Sequence, residues 1–268
     1  MLLLFFKFTA KMKRDRVRAH SAEAAFFTIM SFFPVVMLLL AFIQFTPLEP
    51  EQVTVALENI TPFEVTPMLT SLINGVFDSS SALVPWTALA ALWAGGKGMI
   101  GLSDGLNSVY QVEETPGYFV TRIRAAFHTI IMILALTLSM GILVLGYWIM
   151  DLMEALIPVL NHFSYALRLL PVGIAVVLLV LLFMVLYTFL PSRRQKIWKQ
   201  LPGAIFTSVS WAVFSYAFSI YLEYAVNMSV IYGSLTTLVV GMLWLYFCMY
   251  LLFIGAEINN YIAHPEMF

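Results

Sequence analysis

The residues in this sequence that could do chemistry are few, and most lie within or beside long apolar runs. The segment Trp93-Ala-Gly-Gly-Lys-Gly-Met-Ile-Gly101 sets Lys97 among Gly95, Gly96, Gly98 and Gly101. A lysine at membrane depth is costly unless it pairs, meets water or snorkels to the interface. Glycines on the same helix let a neighbouring helix approach closely, or let the helix break around a ligand. The chemistry this suggests is capture of an anionic group by a buried cation. Glu257, in Gly255-Ala-Glu-Ile-Asn259, is the expected ion-pair partner of Lys97, and Asn259 lies beside it. Asp104 is a rival partner two turns along the same segment, where Asn107 and Tyr110 add polar edges. Glu223, followed by Tyr224, Asn227 and Ser229, is a candidate for lining an outer cavity or exchanging a proton. Each has a plainer reading: Lys97 snorkels, Glu257 and Asn259 mark a helix exit, and Glu223 belongs to an end cap.

Bond-making chemistry finds little support. Cys248 is the single cysteine and lies in an apolar run, so no intrachain disulfide can form. One Cys and four scattered His (His20, His128, His162, His264) show no metal-ligand spacing. There is no Gly-x-Ser-x-Gly elbow, and the glycine-rich string lacks the Ser or Thr that follows the lysine of a nucleotide loop. The expectation is a non-enzyme with no metal and no cofactor. The basic residues are dispersed, so no nucleic-acid partner is expected.

The elements that must position these residues are membrane helices. The chain has 268 residues, 61% hydrophobic and 11% charged, against about 25% charged in a soluble domain. Apolar stretches at about 26–46, 83–103, 127–150, 169–190, 203–225 and 234–257 are each long enough to cross a bilayer. Of the fourteen Lys and Arg, twelve fall on one side of the resulting stack and Arg168 on the other, with Lys97 inside a span. The positive-inside rule then predicts an all-α polytopic protein with six transmembrane helices and both termini cytoplasmic.

Residues 1–22 read as an interfacial amphipathic helix rather than a cleavable signal peptide, because Lys7, Lys11, Lys13, Arg14, Arg16 and Arg18 follow a short apolar start. Residues 23–260 form the six-helix domain. Within it, an acidic, proline-punctuated outer loop spans about 47–82, either a vestibule or a plain connector. Residues 261–268 form a cytoplasmic tail. Arg122, Arg124, Arg193, Arg194, Lys196 and Lys199 are expected to set topology and touch anionic headgroups.

Several segments, taken in order, resemble the YihY/BrkB family of bacterial inner-membrane proteins. They are Ala25-Phe-Phe-Thr-Ile-Met-Ser-Phe-Phe-Pro34, Leu106-Asn107 with Tyr110, Leu190-Pro191, Pro202-Gly-Ala204, Tyr232-Gly-Ser-Leu235, and Leu243-Trp-Leu-Tyr246 leading to Gly255-Ala-Glu-Ile-Asn259. The resemblance implies a six-helix protein of the bacterial inner membrane. It also implies that the ribonuclease label once carried by members does not apply, and it brings no catalytic residues. Set beside the family, a longer charged tail of the kind some relatives carry is not expected after Asn259.

The leading expectation is a transporter or flippase-like protein for an amphipathic or anionic envelope component. Lys97 would draw the anionic head, the glycines would permit helix rearrangement, and Glu257 would hold Lys97 when the site is empty. The competing expectation is a non-transporting scaffold or envelope assembly factor. A membrane ribonuclease comes last. Expected partners are membrane lipids and a lipid or anionic substrate, with room for a homo-oligomer.

Overall fold

A computed structural model describes residues 2–43, 84–112, 117–132, 134–135, 164–225 and 234–267. The expected outer loop at 47–82 lies outside these residues, as do Tyr232 and Gly233 with the rest of the fifth loop, and parts of the first three spans and of the second and third loops. Most of the described residues are helical and none lies in a strand.

The main helices are α1 (Leu2–Arg14), α2 (Val17–Ile43), α3 (Val84–Val109), α4 (Ser164–Phe189), α5 (Leu201–Ala225) and α6 (Ser234–Ala263). Residues 118–132 are also helical. A 3-10 turn, Ile197–Gln200, leads directly into α5. Two segments, Ile197–Leu222 and Val239–Ala263, are long and apolar enough to cross a membrane, and Gly173–Phe189 is a shorter apolar helix.

The N-terminal segment differs from a single interfacial helix over 1–22. Helix α1 stops at Arg14, Arg16 takes a left-handed conformation (φ 50°), and α2 starts at Val17. A non-glycine residue in that region ends a helix because its Cβ crowds the following carbonyl. The break lets α1 fold back so that Lys11 and Asp15 point into protein, while Lys13 and Arg14 stay exposed.

Among the described residues, the core gathers where these helices meet. Its members come from the start of α2 (Val17, Ala24, Ala25), the end of α3 (Leu102, Leu106, Val109), the end of α4 (Phe183, Tyr187, Leu190), the start of α5 (Ala204) and the end of α6 (Leu252, Phe253, Ala256). Small residues set this closeness. On α3, a Cβ added at Gly98 would sit 3.4 Å from Thr28 Oγ1, and one at Gly101 would sit 3.4 Å from Glu23 Cγ. Helix α3 thus stays unbroken through its glycines and uses them to receive α2, as small-residue faces do between membrane helices. On α6, a Cβ at Gly255 would collide with Thr207 Oγ1, Tyr187 Oη and Gly203 O. Pro34 lies inside an uninterrupted α2.

Candidate functional site

Three groups of polar side chains sit beside this core. The innermost is built around Lys11, which is 3% exposed. Its Nζ donates to Asp15 Oδ2 at 2.5 Å, to Glu257 Oε2 at 2.7 Å and to the Val109 carbonyl at 3.2 Å. Glu257 is fully buried, and its Oε1 has no hydrogen-bond partner among the described residues. Asn260 Nδ2 donates to the same Val109 carbonyl at 2.9 Å, and Ser108 Oγ donates to the Asp15 carbonyl at 3.0 Å. A buried carboxylate is tolerated when a cation and hydrogen bonds replace its water. This cluster therefore ties α1 and the α1–α2 turn to α3 and α6.

The expected Lys97–Glu257 pair is not formed: Glu257 pairs with Lys11 instead. Lys97 is exposed on α3, with its Nζ 5.5 Å from the centre of the Phe27 ring. The reason lies in the break at Arg16. It brings a lysine from the N-terminal helix to the carboxylate, a contact that no helical spacing within the spans could announce.

The second group is the turn between α4 and α5. Asn107 reads it from α3: its Oδ1 accepts from Ser192 N at 2.8 Å and its Nδ2 donates to Ser192 Oγ at 3.0 Å. Ser103 Oγ donates to the Leu190 carbonyl at 2.9 Å. Asn259 Oδ1 accepts from Gly203 N at 2.7 Å, so Asn259 holds the start of α5. Tyr110 Oη donates to Gln200 Oε1 at 2.7 Å, and burial raises the Tyr110 phenol above its ordinary range, which keeps it protonated as a donor.

The third group lines a cavity of about 330 Å³ between α3, the helical segment 118–132 and the end of α4. Met99, Ile100, Phe127, Phe189 and Leu190 form its apolar wall. Ser103, Asp104, Asn107, Arg124, Ser192 and Arg194 form its polar end. Partial burial, then the nearby charge of Glu23, pushes the Asp104 carboxyl above the usual carboxylate range, with His20 acting in the opposite sense. Arg194 also lies over the Phe189 ring at 4.5 Å. A smaller, almost wholly apolar cavity of about 40 Å³ shares Met99, His128, Phe189 and Leu190 and continues along α4 past Leu182 and Val185. Together the two make a groove with cations at one end and hydrocarbon at the other.

Of the expected site residues, the structure brings Asp104 and Asn107 into this groove and places Glu257 and Asn259 in the polar core beside it. Gly96 and Gly98 are buried in helix packing, and Gly95 lies in α3. Glu223 lies within α5. For the groove's arginines, Arg124 and Arg194, the sequence suggests topology and contact with anionic headgroups, but not that they share one groove. Lys11 was read only as part of an amphipathic face. Its one signal is its place four residues before Asp15, a spacing that allows an i,i+4 pair.

Two helical segments long and apolar enough to span a bilayer, together with relatives named as membrane proteins, make this an α-helical integral membrane protein. The chain belongs to the virulence factor BrkB family, whose model matches residues 8–267. Among its relatives is a putative ribonuclease-like protein, YfkH, of Bacillus subtilis (strain 168), 28% identical over 90% of this chain and 88% of that one. A UPF0761 membrane protein of Pseudoalteromonas translucida (strain TAC 125) is 31% identical over 38% of this chain and 33% of its own length. UPF0761 membrane proteins of Coxiella burnetii are 31% identical over 32% of this chain and 31% of theirs. The chain thus spans most of the Bacillus relative and about a third of the UPF0761 proteins. No solved structure matches it.

Proposed function

We propose that this is a six-span inner-membrane protein, with both termini cytoplasmic, that carries an amphipathic, anionic envelope component across or within the bilayer. The observation that supports this reading is the groove between α3, segment 118–132 and α4. Its arginines, Arg124 and Arg194, would hold an anionic head, and its apolar wall from Met99 to Val185 would take an acyl or other hydrocarbon tail. Pockets that take amphipathic ligands are mostly apolar with a few placed polar groups. In the proposed topology, the basic end of the groove faces the cytoplasm, in keeping with the positive-inside rule. In this reading the head is drawn by Arg124 and Arg194, Lys97 has no part in capture, and no covalent step is involved. The name of the Bacillus relative points to RNA, but the groove's apolar wall suits hydrocarbon better than a nucleotide.

The test is lipid movement in proteoliposomes carrying the full chain. Fluorescent anionic phospholipid would be followed between leaflets for the native protein, Arg124→Gln and Met99→Trp. Movement by the native protein that falls in both variants, at equal folding, supports the reading. Movement equal to that of empty liposomes would remove transport and leave the scaffold reading.

A further inference from the structure

The stretch from Arg193 to Gln200 brings four cations to the start of a 25-residue helix. Arg193, Arg194, Lys196 and Lys199 all precede Leu201. Neither the 3-10 turn nor α5 has an acidic residue in its first turn, and Lys196, at the cap of the 3-10 turn, makes no capping hydrogen bond. A helix start carries partial positive charge, so it repels cations and attracts anions. None of the four lies within ion-pair distance of a carboxylate among the described residues.

These four cations line one open cavity of about 710 Å³, distinct from the groove but sharing Arg194 with it. Among the described residues, no carboxylate lines the cavity. Its floor is Tyr110, Gln200, Asn259 and Asn260, and the last three are 3%, 1% and 3% exposed. The floor is held by the hydrogen bonds already described. Because Asn259 Oδ1 is taken by Gly203 N, the amide is fixed, and its Nδ2 is left as a buried donor with no acceptor among the described residues. Topology by itself asks only for positive charge on this side. It does not ask for cations gathered over a walled cavity, at the positive end of a helix, with no counter-charge among the described residues.

We propose that this basin is a binding site for a phosphate-bearing anion, either free in the cytosol or presented as a lipid headgroup. Lys196, Lys199 and Arg193 supply the charge, and the start of α5 adds its dipole. The proposal does not rest on transport through the groove, and Arg194 is left unchanged in its test.

The experiment uses the full chain in nanodiscs. In one arm, pyrophosphate is titrated calorimetrically into protein held in neutral phosphatidylcholine. In the other, the unfolding temperature is compared between phosphatidylglycerol and phosphatidylcholine. Both arms are run on the native protein, Lys196→Gln/Lys199→Gln, and the charge-keeping Lys196→Arg/Lys199→Arg. All these side chains are exposed, so unfolding without ligand should match among the three. Saturable pyrophosphate binding, weakened about tenfold or more by the glutamines and kept by the arginines, assigns the site to free phosphate. A phosphatidylglycerol-dependent rise in unfolding temperature, lost only with the glutamines, assigns it to a headgroup. Responses equal in native and glutamine proteins, or absent in both arms, overturn the proposal.

Discussion

Lys11 Nζ lies 2.7 Å from Glu257 Oε2, joining two residues 246 positions apart in the sequence. The pair closes the N-terminal helix onto the last one, with Asp15 sharing the same ammonium. Removing one partner of a buried pair strands the other, at a cost of about 3–5 kcal/mol. Lys11→Met and Glu257→Gln are each expected to lower the unfolding temperature sharply. The double variant should recover part of the loss, because no uncompensated charge of the pair remains. Unfolding of the four proteins in one detergent closes the cycle, and strictly additive losses would refute the coupling.

Gly255 admits no side chain. A Cβ there would meet Thr207 Oγ1, Tyr187 Oη and Gly203 O, where Tyr187 Oη also donates to the Leu252 carbonyl at 2.7 Å. Gly255→Ala is expected to destabilise by about 1–3 kcal/mol, as overpacking does in a tight core. Gly173→Ala, with open space around its Cβ position, should be nearly neutral or slightly stabilising in the same unfolding assay.

Lys97 and Arg124 should behave differently. Lys97→Ala removes an exposed side chain resting over Phe27 and should change stability by no more than about 0.5 kcal/mol. It should also leave lipid movement unchanged, whereas Arg124→Gln should reduce it. A Lys97→Ala protein that stops moving lipid while staying folded would restore Lys97 to the site.

The Asp104 carboxyl, one residue beyond the span 83–103, is raised above its unfolded range by partial burial and by Glu23. A carboxyl raised in the folded state favours folding while it is protonated. That contribution is present below the unfolded value and is lost as pH rises through the folded one. Asp104→Asn should therefore flatten the decline of stability between mildly acidic and neutral pH, by a small amount because the group is partly solvated. An unchanged pH profile in thermal unfolding would show that Asp104 is not under this strain.

Gln111 closes α3 in a left-handed conformation (φ 53°), and the Val112 N–H returns to the Asn107 carbonyl at 2.9 Å. This is a Schellman-type end, where glycine is the favoured residue. Gln111→Gly is expected to raise stability by up to about 1 kcal/mol. A loss of comparable size would mean that the Gln111 side chain is needed.

Much of the architecture could be read from the sequence, because membrane helices write themselves as long apolar runs. Runs at 83–103, 203–225 and 234–257 lie within α3, α5 and α6 nearly end to end. The glycine-rich stretch was legible as a close-approach face. Asp104, Asn107, Glu257 and Asn259 were legible as unusual polar residues at the ends of apolar runs. What the sequence by itself determined is therefore the helical class, the membrane setting and the family, since these follow from composition and local order along the chain. Which charges meet was decided only in three dimensions. The left-handed turn at Arg16 turns Lys11 inward to Glu257, and the Asn107–Ser192 bonds set the turn that carries Arg194 beside the groove. Ion pairing and cavity walls depend on distances between segments remote in sequence, and those distances exist only once the helices have packed.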